Sequence, residues 1–452
     1  MSYSQDKTIV IIGAGIAGIS AALHTLDYNL KPILIDRNRH LGGRVRSFLA
    51  NDIGQPLDNG QHILASAYKE TRHLLKRIGS SDRVLFQERF EARFITGPGK
   101  EFQFRTYRLP SPLHFLLPLL KKKNVANIHW RDFWQIFNHS DLLGQDRFKD
   151  MTVEEWINIT GQSQSMTELL WKPLALSILN TPIHTASAYL LYQAISRSFL
   201  GPYKMSGMGI PLDWLSEIFS GPAERYLKDH QAEIRLLTPV NKIIRQNDQV
   251  FRVVTPGETF TSKWIISCLP PYALHTLLES CVLPDLNSLK KNLARFEYNP
   301  IMTVNIFLDK PLPGNFPASL VASPIQWIFC HPSTDLSQHQ YGYALVSSAS
   351  NAYSESSREE VLEMVQAELE RMFQIDFHNT YRILAYKIIK EKRATISQSP
   401  EALEIRPGPV TPVPKFILAG DWTDTGLPAT IESAALSGRL AVKAVVEASQ
   451  QP

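Results

Sequence analysis

Three glycines near the start of the chain are spaced for one task. Gly13, Gly15 and Gly18 form a G-x-G-x-x-G turn, and Asp36 follows Gly13 by 23 residues. Gly13 permits a sharp turn out of a strand. Gly15 lets a diphosphate approach the backbone, and Gly18 lets the next helix lie close to the sheet. The first N–H groups of that helix, at Ile16 and Ala17, would face the anion. Asp36, with Arg37 beside it, would accept hydrogen bonds from ribose hydroxyls. The chemistry of this set is capture of a dinucleotide.

Three more blocks carry groups able to bind or react. Residues 41–46 read LGGRVR, which sets the pair Gly42 and Gly43 before Arg44. Residues 57–62 read LDNGQH, which brings the titratable Asp58 and His62 together with Gly60 and Gln61. Near the other end, residues 418–424 read LAGDWTD, with Gly420 and Asp421, and Thr430, Ile431, Glu432 and Ser433 lead into a last helix. A glycine turn and an acid about 400 residues apart serve one ligand only if their domain is discontinuous.

The GGR and AGD blocks resemble those of the flavoprotein superfamily of amine oxidases and carotenoid desaturases. Four stretches narrow the likeness: GGRVRSF (42–48), LDNGQH (57–62), SGMGIPLDWL (206–215) and LAGDWTDTGLPATIESAALSGR (418–439). Together they resemble the squalene-associated FAD-dependent desaturase family, the hydroxysqualene dehydroxylases of bacterial hopanoid and squalene synthesis. The likeness runs from residue 8 to residue 446 and is densest at both ends.

That resemblance implies FAD as cofactor. It implies contacts from Gly42, Gly43, Arg44, Gly60, Gln61 and His62, and from Gly420 and Asp421 to the ribityl or diphosphate region. The backbone of Val240, in TPVNKI, would meet the adenine. Thr430, Ile431, Glu432 and Ser433 would open the last helix towards the flavin. The implied reaction is reductive loss of the hydroxyl of hydroxysqualene to give squalene, with Asp58 or His62 as candidate proton donor. Many superfamily members carry Glu where this chain has Asp36, and Asp can make the same ribose bonds. Two rival reactions stay open, desaturation of a phytoene-like polyene and amine oxidation. The second needs an aromatic cage, to which only Trp422 points.

The elements that must hold these residues are legible at the ends of the chain. Thr8–Ile12 reads as a strand apolar on both faces, as in a covered parallel sheet. A helix with Ile19, Ala22, Leu23 and Leu26 follows, then a strand ending at Asp36. Residues 150–220 read as largely helical, 234–266 as strands, 301–308 and 341–347 as strands, and 357–373 as an amphipathic helix. Phe416–Ala419 reads as a buried strand before a helix from Ile431 to about Ala448. The fold class is therefore α/β. A Rossmann-like FAD-binding domain is expected from 1–75, 225–285 and 395–452. An α+β substrate domain with a helical, membrane-facing part is expected from 76–224 and 286–394.

Composition removes other classes. With 44% hydrophobic and 20% charged residues the chain is an ordinary globular one. A net charge of +4 offers no nucleic-acid-coating face. Cys268, Cys281 and Cys330 are too far apart for a CxxC metal pair or a disulfide framework, which fits a reducing, cytoplasmic setting and no metal. The apolar run Ile9–Leu26 is broken by the three glycines, so it reads as a nucleotide turn rather than a leader.

A long-chain isoprenoid would bind through buried apolar area, at roughly 25 cal/mol per Å². Trp130, Phe133, Trp134, Phe137, Trp156, Trp171, Tyr189, Tyr192 and Phe199 are candidates to line its tunnel. Leu113–Leu120, among Arg105, Arg108 and Lys121–Lys123, is expected to dip into a membrane surface, placing the protein on the inner face of the cell membrane. No second G-x-G-x-x-G follows a strand, so a separate electron donor is expected.

Overall fold

The computed structural model describes residues 7–121, 130–138, 146–246, 250–332 and 340–450. The elements that bear on the site are, in chain order, β1 (Thr8–Ile12), α1 (Ile16–Asp27), β2 (Lys31–Ile35), the hairpin β3 (Ser47–Ala50) and β4 (Gln55–Asp58), and α2 (Lys69–Arg77). A second hairpin follows, β5 (Glu91–Gly97) and β6 (Lys100–Arg105), then α3 (Leu113–Lys121), α4 (Lys172–Leu179) and α5 (Ala188–Phe199). Next come β7 (Glu233–Arg235), β8 (Trp264–Ser267), α6 (Pro271–Glu279), β9 (Tyr298–Leu308), β10 (Ala318–Leu320), β11 (Trp327–Cys330) and β12 (Tyr341–Ser348). The chain closes with α7 (Arg358–Phe373), β13 (Ile383–Ile396), α8 (Pro400–Ile405), β14 (Phe416–Leu418) and α9 (Ile431–Ser449).

The first sheet is parallel, in the order β7-β2-β1-β8-β14. Its strands come from three distant stretches of sequence. β1 is buried along its whole length because helices and a strand layer cover both faces. Two glycines let the ends of the chain meet. A Cβ on Gly18 would lie 1.9 Å from the Gly13 carbonyl oxygen, so only glycine lets α1 sit this close to the turn. A Cβ on Gly438 would lie 2.4 Å from the Ala17 oxygen, and beside it Ser20 Oγ donates to Ala435 O at 2.6 Å. Thus α9 lies directly on α1.

The second sheet has seven strands in the order β13-β9-β12-β11-β10-β5-β6. Alternation along β9 gives it two unlike faces. Met302, Val304, Ile306 and Leu308 form a core with Val361, Val365 and Leu369, one stripe of α7. A capping box of Ser357 and Glu360 starts that helix. The opposite face carries Thr303, Asn305 and Phe307. The β3–β4 hairpin rests on it through Leu57 and Phe307.

A helical segment with α4 and α5 covers the far part of that face. Its core holds Trp156, Trp171, Leu179 and Leu190. Trp156, Trp171 and Phe199 of the expected tunnel are core residues; Tyr189 and Tyr192 are half-buried, and Trp134 is exposed. The side chains of Trp130, Phe133 and Phe137 lie outside the described residues, as do Lys122 and Lys123.

The run expected at a membrane surface is largely packed inward. In α3 His114, Pro118 and Leu119 are buried, and Phe115 and Leu116 lie against the Trp156 core, so most of the run is interior. Leu113 remains exposed. Among the described residues, no helix is long and apolar enough to cross a membrane.

Candidate functional site

The site begins at the end of β1. Gly13 turns with φ +104°, and its N–H donates to Ile35 O at 2.8 Å. Gly15 caps α1 with no side chain over the helix end, and α1 has no acid in its first turn. A Cβ added to Gly15 would meet nothing within 4 Å, so open space fronts the helix N-terminus. The GGR turn closes the cradle from the other side. Gly42 N–H donates to Ala14 O at 2.8 Å, and a Cβ on Gly43 would lie 3.2 Å from Gly15 Cα. Gly42 and Gly43 both have positive φ. Free helix-end N–H groups, no acid and a backbone-lined gap fit the diphosphate of a dinucleotide.

Asp36 lies at one end of that cradle. Its Oδ2 accepts from Ala14 N–H at 2.7 Å, and its Oδ1 accepts from Asn38 N–H and Nδ2 at 2.7 and 2.9 Å. A carboxylate has about four acceptor positions, so room for a hydroxyl remains. Ile16 and Ala17 are buried in the first turn of α1, and Arg37 is exposed. Val240 is half-buried, and the preceding Thr238 N–H donates to Asp36 O at 2.9 Å.

The GGR turn and the AGD turn meet directly. Arg44 Nη2 donates to both oxygens of Asp421 at 2.7 Å, and its Nη1 donates to Ala394 O at 2.6 Å. Gly420, with φ +149°, donates its N–H to Ser437 Oγ at 2.8 Å. The loop then enters α9, where Thr430 is the N-cap and accepts from Ser433 N–H. Ser433 Oγ also donates to Asp421 O at 3.2 Å. The Tyr68 hydroxyl bonds Thr430, and burial pushes that phenol up to about 12.

Glu432 stands at the start of α9, but its carboxylate serves a neighbour. It accepts from the Glu70 and Thr71 N–H groups at 3.0 and 2.9 Å and from the Thr71 hydroxyl at 2.8 Å. It therefore caps the first turn of α2. Only the backbone of Glu432 is left to face a cofactor. Trp422 is 1% exposed, donates from Nε1 to Leu269 O at 3.0 Å and meets Phe296 edge-on. It is core, so the hint of an amine-binding cage is withdrawn.

The strap 58–62 crosses between the two sheets. Asp58 is 1% exposed, and its Oδ1 accepts from Ser47 Oγ at 2.6 Å and Leu215 N–H at 3.0 Å. Burial pushes its carboxyl up to about 6, against those hydrogen bonds. In this setting Asp58 anchors the strap. His62 Nδ1 donates to Gly60 O at 2.8 Å, which leaves Nε2 as the acceptor of a neutral ring. Burial lowers its pKa and the Arg44 charge lowers it further, while the bond to Gly60 opposes them. Gly60 lies over Thr303, whose Oγ1 would be 3.9 Å from a Cβ there. Gln61 is half-buried in the same strap.

From Thr303 an apolar row runs across the second sheet. Cross-strand register places Thr303, Val346, Trp327, Ser319, Phe94 and Phe102 side by side on one face. Trp327 Nε1 donates to Ser177 Oγ at 2.9 Å, so α4 roofs the row. Phe94, Phe102 and Trp327 are half-buried, and so are Leu174 and Ile178 of α4. The result is a largely apolar row packed under α4, with Thr303 at its end beside Gly60 of the strap.

Several residues of the site had no signal in the sequence. Tyr68, Thr303, Trp327 and Arg406 belong to no motif of recognised spacing. Arg393 is another; its guanidinium stacks 4.2 Å over the Tyr272 ring, beside a hollow of about 260 Å³.

Comparison with known proteins bears on the same geometry. The sequence model of the family described as flavin containing amine oxidoreductase matches residues 16–446. The chain is 27% identical to a hydroxysqualene dehydroxylase of Rhodopseudomonas palustris, covering 99% of this chain and 100% of the relative. It is 25% identical to a chloroplastic/chromoplastic 15-cis-phytoene desaturase of Glycine max, covering 99% of this chain and 80% of that one. Among solved structures, cyclohexylamine oxidase from Brevibacterium oxydans superposes with a TM-score of 0.71 at 15% identity, over 99% of this chain and 100% of that one.

Proposed function

The chain belongs to the flavin-containing amine oxidoreductase family, and on that premise we propose that it removes the hydroxyl of hydroxysqualene reductively to give squalene. The observation that carries the reading is the largely apolar row from Phe102 to Val346, whose end at Thr303 lies beside Gly60, the residue whose carbonyl holds His62. It suits a long hydrocarbon with one polar group better than a small charged amine. Matching length supports it: the dehydroxylase relative is covered over 100% of its length and the desaturase over 80%.

Bound FAD supplies the two-electron redox chemistry. Gly15, Gly43 and the first turn of α1 would hold its diphosphate, Asp36 its ribose, and Arg44 with Asp421 its ribityl side. In the net reaction the C–O bond breaks, a C–H bond forms, and the oxygen leaves as water after taking up a proton. Two electrons and two protons enter. His62 would hold the substrate hydroxyl on Nε2 and, once protonated, give it a proton. The aromatic row under α4 would keep water from the reacting carbon. Leu113 and Leu200 are exposed on neighbouring turns, which the Ser111 Oγ bond to Leu200 O joins at 2.7 Å. They are a proposed contact with the lipid that delivers the substrate, on the inner face of the cell membrane. Electrons would come from a separate donor.

Neutral His62 also suits proton removal, which keeps polyene desaturation as the second reading. The two separate in one experiment. Reduced protein given hydroxysqualene and oxidised protein given phytoene are each assayed for product. Squalene from the first alone supports dehydroxylation; a dehydrogenated polyene from the second alone replaces it.

A further inference from the structure

The loop carrying Asp421 is held by a single buried cation. Arg406 is 6% exposed. Its Nε donates to Trp422 O and Thr423 O at 3.3 and 3.2 Å, its Nη1 to Leu427 O at 2.8 Å, and its Nη2 to Asp421 O and Thr423 O at 3.1 and 2.6 Å. Every contact is to a backbone carbonyl of residues 421–427. A planar fork can gather carbonyls from one turn in this way, and an ammonium cannot reproduce the geometry.

The ends of the loop are fixed separately. Asp424 N–H donates to Pro407 O at 2.8 Å, so the residue after Arg406 also touches the loop. Ala429 N–H donates to Gln398 Oε1 at 2.7 Å, and Gln398 Nε2 donates to Leu179 O at 2.8 Å at the end of α4. The stretch from Gln398 to Arg406, which includes α8, thus braces the loop from beneath. What the loop presents on its upper side is the Asp421 carboxylate, to Arg44, and the start of α9.

We propose that Arg406 is a positioning residue for the cofactor: it sets the 421–427 turn in advance, so that Asp421 and the first turn of α9 stand ready before FAD arrives. The inference rests on the flavin site described above. Without Arg406 these carbonyls would have to find other donors in a dry interior, and the turn would open. The cost would appear as lost affinity, because binding would then have to order the loop.

The test is FAD titration of the apoprotein of wild type, Arg406→Lys, Asp421→Asn and the double variant, followed by flavin fluorescence. Uptake by wild type checks the flavin site independently. Arg406→Lys should raise the Kd about tenfold or more. In the double variant the loss should stay within about twofold of the worse single one, because Asp421 is already displaced once Arg406 is changed. An unchanged Kd in Arg406→Lys, or losses that multiply, would overturn the proposal. If Arg406→Lys does not fold, amide exchange in the wild type decides. Slow exchange at 421–427 in the apoprotein is expected, and free exchange there until FAD is added would overturn it.

Discussion

Arg44 and Asp421 are 377 residues apart in sequence and 2.7 Å apart in space. The pair bridges two turns beside a parallel sheet whose strands come from three separate stretches of sequence. It also links the GGR turn to the loop that feeds α9. Arg44 is partly exposed, so the ion pair itself adds little stability. On the proposed reading its value would lie in orienting two turns around one ligand.

Removing Arg44 should therefore act on FAD more than on the fold. Charge-assisted hydrogen bonds are worth about 1.5–3 kcal/mol, so Arg44→Ala should raise the Kd for FAD by about 10- to 100-fold. Titration of the apoprotein checks this, and urea unfolding of the same sample should show a much smaller change.

Two glycines of one motif should fail in different ways. Gly15 has φ −70° and ψ −175°, open to any residue, and a Cβ there meets nothing within 4 Å. Gly15→Val should keep the apoprotein's Tm within about 2 °C and abolish FAD binding. Gly18→Ala would press a methyl to 1.9 Å from Gly13 O, and should destabilise the apoprotein by about 3 kcal/mol or prevent folding. Thermal melts with and without FAD separate the two.

Two buried groups should pull stability in opposite directions with pH. Asp58 is raised from 3.8 to about 6 by burial, so its contribution is present below 3.8 and lost as pH rises through about 6. His331, stacked on Phe307 at 5.3 Å, is lowered from 6.5 to about 4 by burial, with a bond to the Tyr343 backbone opposing. Its contribution is present above 6.5 and lost as pH falls through about 4. Each is worth roughly 3 kcal/mol at most. Between pH 6.5 and 4.5, Asp58→Asn should lose more stability than wild type and His331→Phe less, measured by urea midpoints.

The lowered pKa of His62 gives the reaction a pH signature. Its imidazolium forms only below the ordinary value of 6.5. If His62 protonates the leaving oxygen, kcat should rise as pH falls through that lowered pKa. His62→Gln should lower kcat about 100-fold and flatten the profile. A wild-type kcat that climbs with pH would remove His62 as the acid.

What the sequence revealed follows from what each residue does. Gly13, Gly15, Gly18 and the GGR pair are legible because their spacing is itself the backbone constraint. Asp421 is legible because it adjoins a glycine turn after a buried strand. Arg406 and Glu432 act through partners that spacing does not encode: Arg406 binds carbonyls, and Glu432 caps a helix about 360 residues upstream. The strand β13 stayed hidden because it lies at the sheet edge and carries Lys387, Lys390, Lys392 and Arg393, which mask an apolar alternation. The run Leu113–Leu120 has one composition for a membrane face and for a core helix, so only the structure shows that Phe115 and Leu116 lie against the Trp156 core while Leu113 is exposed.

The central claim meets its most direct test in a single turnover. Holoprotein with its flavin reduced anaerobically is mixed with hydroxysqualene, and flavin reoxidation is followed while the product is quantified by mass spectrometry. The account predicts one squalene formed per flavin reoxidised, at a rate set by substrate concentration. Flavin that stays reduced, or reoxidises without squalene, would contradict it.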